Sequence, residues 1–253
     1  MNKISVGYII QDSDIDWLLL SLEQIESYVD EIIIVQNTIG NNTKKLLNFV
    51  KNKPKYKHII TTYSENNGME YNKILKYVTG DWLLVLDCDE VISDNAYILR
   101  DYTKGKFNCY SIRMNHCIND LAHIDSTFAG DYTKEDKSYN HYVGKRFFKI
   151  KPGIKWEEHE HGTIQGFEEK EMGIIHDVII WHYGKCKNMM ELKEKYLMNL
   201  GRSTVHNKDF LDGWYYNHML GNYPTQSVEV KTHPSVVRRE FHINDLKGKR
   251  VLK

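Results

Sequence analysis

The chain has 253 residues, enough to bury a substantial core in one large domain or in a domain with a helical appendage. Lysine plus arginine and aspartate plus glutamate both number 34, so the zero formal net charge gives no argument for nucleic-acid binding. No apolar run approaches the roughly 20 residues that span a bilayer, and the four cysteines form no CxxC pair, which argues against a zinc ribbon or a disulfide framework.

The first hundred residues predict strands that alternate with helices. The predicted strands are residues 4–10, 31–35, 57–63 and a run that ends at Asp87. Apolar residues at helical spacing predict helices between them, over residues 15–29, 46–50 and 71–78, the last ending at Gly80. This alternation predicts an α/β fold, a doubly wound and mostly parallel central sheet flanked by helices with right-handed crossovers.

The pattern changes after about residue 105. Strand-like segments are residues 108–115, 145–150 and 174–183, and helical patterns follow at 188–201 and 209–220. We expect residues 1–105 and 106–185 to form two halves of one domain, and residues 186–253 to form a C-terminal helical extension.

Asp87-Cys88-Asp89 is the most informative motif of the chain. It directly follows an apolar run of strand length, and in an open α/β sheet ligands bind at the carboxyl ends of strands. If the backbone stays extended, Asp87 and Asp89 point to the same side. Two carboxylates there suit Mg²⁺ or Mn²⁺, and such an ion can hold a diphosphate. The simpler interpretation is that Asp-Cys-Asp only begins a turn.

The order of several motifs resembles family 2 glycosyltransferases with the GT-A fold. The matching segments are residues 4–10 (ISVGYII), 30–38 (DEIIIVQNT), 65–72 (ENNGMEYN), 79–82 (TGDW) and the Asp-x-Asp motif. Residues 146–148 (RFF), 156–161 (WEEHEH) and 181–184 (WHYG) are similar to the lipopolysaccharide-core-type branch, and the whole resemblance spans about residues 4–200.

This resemblance implies a Rossmann-like GT-A domain and a nucleotide-diphosphate sugar donor. It implies Mn²⁺ or Mg²⁺ bound directly by Asp89, with Asp87 reaching the ribose or a metal-bound water and His182 as a further candidate ligand. The nucleotide-sugar site is expected to include Ile10, Gln36, Asn37, Asn72, Asp87 and Cys88. Gln36 and Asn37 depart from the family, which usually has an aspartate there; an amide still hydrogen-bonds a base or a ribose but lacks the charge. Helix N-termini near Gly68 offer further donors to phosphate.

The acceptor side is predicted around residues 156–161. A carboxylate must take the proton of the acceptor hydroxyl, and Glu160 is the preferred base because His159-Glu160 matches the family's His-Glu pair. If His161 is instead the family histidine, Glu158 becomes the base. Trp156, His159 and His161 are the expected acceptor-binding residues.

The predicted function is therefore a metal-dependent, inverting glycosyltransferase that acts on a hydroxyl of a glycan, lipid-linked or protein acceptor. One alternative is a catalytically degenerate module that binds nucleotide or glycan. A less favoured alternative is a zinc hydrolase that uses His159 and His161. The absence of a signal-peptide pattern favours the cytoplasm, and a basic tail offers peripheral contact with an anionic membrane: Arg238, Arg239, Lys247, Lys249, Arg250 and Lys253.

Overall fold

The computed structural model describes residues 1–64, 66–118, 120–125, 144–159, 162–186 and 225–240. They fall into two compact units. The first comprises the described parts of 1–114 and 135–180, and the second those of 115–134 and 181–253. This division differs from the predicted boundaries at residues 105 and 185, and the three-part organisation stays a prediction. The helices predicted at 188–201 and 209–220 lie outside the described residues.

The strands and helices occur in the order expected for the first hundred residues. In chain order they are β1 (Ile4–Ile10), α1 (Ile15–Ile25), β2 (Glu31–Gln36), α2 (Thr43–Val50), β3 (Tyr56–Ile60), α3 (Asn67–Leu75), β4 (Trp82–Val85), β5 (Glu90–Ile92), α4 (Leu99–Tyr102), β6 (Cys109–Ile118), β7 (His123–Asp125), β8 (Lys145–Lys149), β9 (Lys155–Trp156), β10 (Ile164–Gln165), β11 (Met172–Lys185), β12 (Thr225–Ser227) and α5 (Ser235–Glu240). Short 3₁₀ turns lie at Asp12–Asp14, Ala96–Ile98, Glu169–Glu171 and Val230–Thr232.

The sheet of the first unit is mostly parallel. Its strand order is β6-β8-β4-β1-β2-β3. β1 pairs in parallel with β2 on one side and with β4 on the other, and β2 pairs in parallel with β3. β8 runs antiparallel to both β4 and β6. This mixed α/β architecture confirms the predicted fold class.

Burial explains why β1, β2 and β4 read as apolar runs. All of β2 and β4 is buried, and β1 is buried at every position except Ile9. Both faces of a strand must be apolar when helices cover the sheet on both sides. At Gly7 of β1, an added Cβ would lie 2.6 Å from Cγ2 of Ile74, so glycine allows α3 to pack closely against this strand.

The second unit has its own core around His233. The Tyr183 hydroxyl lies 2.8 Å from Nδ1 of His233, and the Trp181 ring centroid lies 4.2 Å from the imidazole centroid. β7 pairs antiparallel with β12, and Cys117 near the end of β6 pairs with Ile124. An ion pair joins the partly exposed Lys185 to the buried Asp125 at 3.1 Å.

The end of α3 differs from the expectation. The helix ends at Leu75 and not at Gly80. The residues before β4 are tied instead to the starts of β1 and β2, because Gly80 N donates to the Ser5 hydroxyl at 3.2 Å and Thr79 N donates to the Glu31 carboxylate at 2.9 Å. An added Cβ at Gly80 would lie 2.4 Å from Oγ of Ser5, which explains glycine at this position.

Glu31 is the centre of this polar cluster. Its carboxylate also accepts hydrogen bonds from the Ser5 and Thr79 hydroxyls, both at 2.6 Å, and pairs with Lys57. Burial alone would raise the pKa of Glu31, but Lys57, Ser5 and Thr79 together lower it to about 2. The folded state therefore favours the ionised carboxylate.

We expect Glu31→Gln to lower the free energy of unfolding at pH 7 by about 1 to 3 kcal/mol, since hydrogen bonds to a charged acceptor are lost. A pKa below the unfolded value stabilises the fold above about pH 4.5, and this stabilisation disappears as the pH falls toward 2. Urea denaturation at several pH values should thus show the variant and the parent converging in acid. Asp16→Asn, at a carboxylate that is 71% exposed, is the control and should change little. An equal loss at pH 7 and pH 2 for Glu31→Gln would contradict this account.

Candidate active site

The Asp-x-Asp motif lies just beyond the carboxyl end of β4. The strand ends at Val85, and Leu86 N still donates to Gly7 O of β1 at 3.2 Å. The chain then turns, and Glu90 N donates to Asp87 O at 3.0 Å. The expected extended alternation of Asp87 and Asp89 is therefore wrong, because the strand has already ended. Asp89 is 7% exposed, whereas the Asp87 side chain is 39% exposed.

This turn occupies the position in the sheet where ligands are expected. From β1 the chain proceeds to β2 and β3 on one side, while β4 lies on the other side of β1. The strand order therefore reverses between β1 and β4. In open α/β sheets, ligands bind outside the carboxyl ends of the strands at such a switch point.

Three side chains fix Asp87. The Tyr71 hydroxyl on α3 donates to Oδ1 of Asp87 at 2.7 Å. Nη2 of Arg146 on β8 lies 3.5 Å from Oδ2 of Asp87 and 2.9 Å from Oε1 of Glu90. The backbone N of Asp87 donates to Oε2 of Glu90 at 2.8 Å. Asp87 is thus held in one orientation from both the helix layer and the neighbouring strand.

Burial and charge determine the protonation states of this cluster. Burial raises the pKa of Glu90 to about 8, against the influence of the Arg146 guanidinium. Burial, reinforced by the Asp87 carboxylate, also raises the pKa of Tyr71 well above its usual range, so its hydroxyl remains a donor. Burial opposes the charge on Arg146, but Glu90 and Asp87 outweigh it and raise its pKa. Arg146 is therefore a permanent cation beside the motif.

The donor set of the motif fits a hard divalent cation. Carboxylate oxygens are the ligands that Mg²⁺ and Mn²⁺ prefer, and Mg²⁺ sites commonly use one or two carboxylates completed by water and substrate phosphates. Among the described residues, no group of three or more His, Cys, Asp or Glu side chains could enclose a metal by itself. Asp87 and Asp89 therefore suit an ion whose remaining ligands come from a bound diphosphate.

Gln36 and Asn37, two expected nucleotide contacts at the carboxyl end of β2, differ in whether their side-chain amides are already hydrogen-bonded. Gln36 is fully buried: its Nε2 donates to Thr38 O at 2.6 Å, and its Oε1 lies 2.8 Å from Nε2 of His58. A nucleotide contact by the Gln36 side chain does not fit this arrangement, because the amide already bonds within the protein. Asn37 Nδ2 is buried without a hydrogen-bond partner in the described part of the chain.

Ile10 and Cys88 have apolar surroundings. Ile10 is 1% exposed, and the half-buried Cys88 packs against the core cluster that contains it. Neither side chain has the geometry of a polar contact to a nucleotide, so a role for these residues in donor binding would fall to the backbone. The carbonyl of Ile10 already accepts a hydrogen bond from Asn37 N at 3.0 Å.

Asn72 and Trp156 contact each other instead of a ligand. Nδ2 of Asn72 donates to Trp156 O at 3.1 Å, and Trp156 N donates to Oδ1 of Asn72 at 2.8 Å. The Trp156 ring is 4% exposed and packs on the rings of Tyr71 and Phe148, with centroid distances of 5.2 and 5.3 Å. The predicted nucleotide contact by Asn72 is therefore corrected, because its side-chain amide binds the Trp156 backbone. The predicted acceptor-binding role of Trp156 is also corrected, because its ring is a core side chain.

The predicted acceptor segment is described as far as His159. Glu157 accepts hydrogen bonds from Thr163 N at 3.1 Å and from Gln165 Nε2 at 2.6 Å, and its Oε2 lies 3.2 Å from Nε2 of His159. The Thr163 backbone and then His159 lower the pKa of Glu157, which makes it a poor base. Glu158 is exposed. Glu160 and His161 lie outside the described residues, so the base and the zinc alternative stay predictions.

His182 belongs to the second unit. Its Nδ1 lies 2.8 Å from Nδ1 of His116, and the two rings meet edge to face. Such a short contact requires one nitrogen to carry the proton and the other to accept it. The role of His182 as a metal ligand stays a prediction.

Sequence reasoning missed Tyr71, Glu90 and Arg146 as site residues. Tyr71 follows the helical stripe of a core residue, and Glu90 reads as one more acid of a turn. The available signal is Arg146, a charged residue at the start of the apolar strand segment Arg146-Phe147-Phe148. A buried charge requires a partner, and here the partners are the acids of the Asp-x-Asp turn.

Part of the sequence and the fold have known counterparts. Residues 14–113 match the model of glycosyl transferase family 2. The sequence matches no curated protein. Three solved structures of TarS from S. aureus are similar in fold, each at 12% identity: TarS with a TM-score of 0.50, residues 1–349 with 0.51, and residues 1–349 in complex with UDP with 0.50.

The coverage of these matches is unequal. The match with the first TarS structure covers 86% of this chain but only 43% of TarS. The matches with residues 1–349 cover 98% of this chain and 75% of that fragment, and 86% and 70% for its UDP complex. At 12% identity the likeness shows the fold alone.

The strand order of the sheet, the Asp-x-Asp turn at its switch point and the similar structures define a GT-A fold. The match over residues 14–113 shows that this segment resembles glycosyl transferase family 2. The likeness to the lipopolysaccharide-core-type branch stays a prediction.

We expect Arg146→Met to lower the free energy of unfolding at pH 9, where Glu90 is ionised, by about 3 to 5 kcal/mol, because the Glu90 carboxylate, 1% exposed, would lose its cation. The double variant Arg146→Met with Glu90→Leu should recover part of this loss, since no buried charge is then left unpaired. Chemical denaturation of both single variants and the double variant gives the coupling energy. Strict additivity would show that the pair is not coupled.

Proposed function

We propose that the chain transfers a sugar from a nucleoside-diphosphate sugar to a hydroxyl of a glycan, lipid-linked or protein acceptor. The observation that carries the proposal is the Asp-x-Asp turn at the switch point of a family 2 domain, with Asp87 oriented by Tyr71 and Arg146. A fixed carboxylate at that position serves donor binding better than a mobile one, because its ordering costs no entropy when the ligand arrives.

The motif would hold Mn²⁺ or Mg²⁺ together with the donor diphosphate. Asp89 is the proposed direct ligand, and Asp87 the proposed contact to the ribose or to a metal-bound water. When bound, the ion stabilises the negative charge that gathers on the leaving diphosphate. The burial of Asp89 supports this role, since electrostatic interactions strengthen where water is excluded.

Nucleotide recognition is assigned to the ends of β1 and β2. Asn37 supports this assignment, because its Nδ2 is a donor not bonded within the described residues, and such a donor suits a base carbonyl or a ribose oxygen. The structure of TarS residues 1–349 contains UDP. We therefore propose uridine diphosphate as the first nucleotide to test.

The proposed reaction is a single displacement with inversion. The acceptor oxygen bonds to the anomeric carbon while the bond to the diphosphate breaks, and the diphosphate leaves with the electron pair. A carboxylate takes the hydroxyl proton. Glu160 is the preferred base and Glu158 the alternative, while Glu157 is occupied by Thr163, Gln165 and His159.

A second candidate is a module that binds nucleotide or glycan without turnover. The observation that favours it is Gln36, which stands where the family usually has an aspartate and is fully buried. Slow hydrolysis of a nucleotide sugar by the purified chain, lost in the Asp89 variant, would argue against this candidate.

Location and membrane contact remain part of the proposal. No helix among the described residues is long and apolar enough to cross a bilayer. Arg238 and Arg239 lie in the last turn of α5, and the remaining basic residues of the tail fall outside the described residues. Peripheral contact of this tail with an anionic membrane in the cytoplasm stays a prediction.

We expect one of UDP, GDP, CDP, ADP and dTDP to stabilise the protein only when Mn²⁺ or Mg²⁺ is present. A ligand at a hundredfold excess over its Kd adds about 2.7 kcal/mol, which raises the Tm by several degrees in a thermal-shift measurement. Asp89→Asn, which keeps the shape but removes the charge, should abolish this shift. Asp16→Asn is the matched control on α1 and should keep it. A shift that persists in Asp89→Asn would place the nucleotide elsewhere.

We expect Glu160→Gln to lower kcat by about a hundredfold or more while donor affinity changes little, because only proton transfer is lost. Glu158→Gln is the matched control on the same segment. The measurement is nucleoside-diphosphate release from the donor identified above. A parental rate in Glu160→Gln with a large loss in Glu158→Gln would reassign the base to Glu158.

A further inference from the structure

We propose that α3 clamps residues 156–159 in place, and that Asn72 and Gly68 are positioning residues for the acceptor side of the site. The inference rests on the proposed function, because it assigns that segment to the acceptor half of the reaction. The clamp consists of three donors on or next to α3: Asn66, Gly68 and Asn72.

Asn72 binds the backbone of β9 as a neighbouring strand would. Its amide donates to Trp156 O at 3.1 Å and accepts from Trp156 N at 2.8 Å. The two bonds together satisfy both polar backbone groups of a residue that is 4% exposed. A buried backbone group without a partner is costly, so this pairing fixes the chain just before Glu157.

The start of α3 holds the next residues of the segment. Asn66 caps the helix by accepting from Met69 N at 3.0 Å, and its Nδ2 donates to Glu158 O at 3.1 Å. Gly68 N donates to His159 O at 3.2 Å. The backbone N–H of Gly68, which the sequence predicted as a donor to phosphate, therefore binds the predicted acceptor segment instead.

Gly68 is required by the closeness of this contact. An added Cβ would lie 1.8 Å from Glu157 O and 2.8 Å from its carbonyl carbon. Both atoms belong to the backbone, so no side-chain rotation can relieve the clash. Any side chain at residue 68 must therefore displace either the helix start or the acceptor segment.

The same helix also reaches the Asp-x-Asp turn. Tyr71, one residue before Asn72, donates to Asp87 and stacks on Trp156 with a centroid distance of 5.2 Å. One element thereby contacts the predicted donor side through Asp87 and the predicted acceptor side through Trp156. The clamp fixes the backbone from which Glu158 projects, and Glu160 follows two residues later in the sequence. A misplacement of about 1 Å between reacting groups can cost about a hundredfold in rate.

The test combines amide hydrogen exchange with turnover of the full-length protein. The variants are Asn72→Leu, which removes both bonds to Trp156, Asn72→Asp, which keeps the acceptor, and Gly68→Ala. Asn95→Leu is the matched control for Asn72, because Asn95 likewise bonds a distant carbonyl, Asp177 O, at 2.5 Å. Gly173→Ala is the matched control for Gly68, because its Cβ would lie 2.4 Å from the Phe107 ring.

Exchange is measured at the Trp156 and Gly68 amides, and turnover as the hydrolysis of UDP-GlcNAc, UDP-glucose, UDP-galactose and GDP-mannose with Mn²⁺. We expect Asn72→Leu and Gly68→Ala to speed exchange at these amides and to lower kcat about a hundredfold, with donor KM within about threefold of the parent. Asn72→Asp should fall between the parent and Asn72→Leu, and both controls should keep the parental kcat and the parental exchange at the two amides.

Faster exchange with an unchanged kcat would overturn the positioning role, as would a loss of donor binding equal to the loss of kcat. If the parent hydrolyses none of the four sugars and binds no nucleotide, the proposed function fails. The clamp is then judged on exchange alone, and unchanged protection at Trp156 and Gly68 in Asn72→Leu and Gly68→Ala would overturn it.

Discussion

The hydrogen bond from the Tyr71 hydroxyl to Asp87 is the interaction on which the candidate site depends. It fixes the first carboxylate of the Asp-x-Asp turn from α3, and α3 can do so because Gly7 lets it pack closely on β1. The Tyr71 ring also stacks on Trp156, and the next residue, Asn72, bonds the Trp156 backbone. The geometry of the helix layer therefore governs the Asp-x-Asp turn and the predicted acceptor segment together.

A second constraint is electrostatic. Arg146 enters the site from β8 and lies between Glu90 and Asp87, at 2.9 and 3.5 Å. Because burial raises the pKa of Glu90 to about 8, its charge depends on pH, whereas Arg146 remains charged. The resident cation offsets part of the negative charge of the motif. The proposed binding of a divalent ion would therefore draw on both aspartates and on the anionic diphosphate.

The sequence pattern predicted the strands and their order, because these depend on residues close together in the chain. Apolar runs such as residues 32–35 of β2 indicate buried parallel strands, and the order of elements then indicates the switch point at which Asp87 lies. The contacts of Tyr71, Asn72 and Arg146 were not predictable, because they join residues that are 16 to 84 positions apart in sequence. For Gln36, the sequence predicted a contact that the structure does not support. Its amide could bind a nucleotide, but in the interior it is hydrogen-bonded to His58 and Thr38.

The most direct test of the account is an electron paramagnetic resonance titration of Mn²⁺ into the protein with and without a saturating nucleoside diphosphate, beginning with UDP. The account predicts one bound Mn²⁺ per chain that requires the nucleotide and is lost in Asp89→Asn. One Mn²⁺ per chain that binds equally well to Asp89→Asn, or no nucleotide-dependent binding with any of the common nucleoside diphosphates, would contradict the assignment of the Asp-x-Asp turn as the donor site.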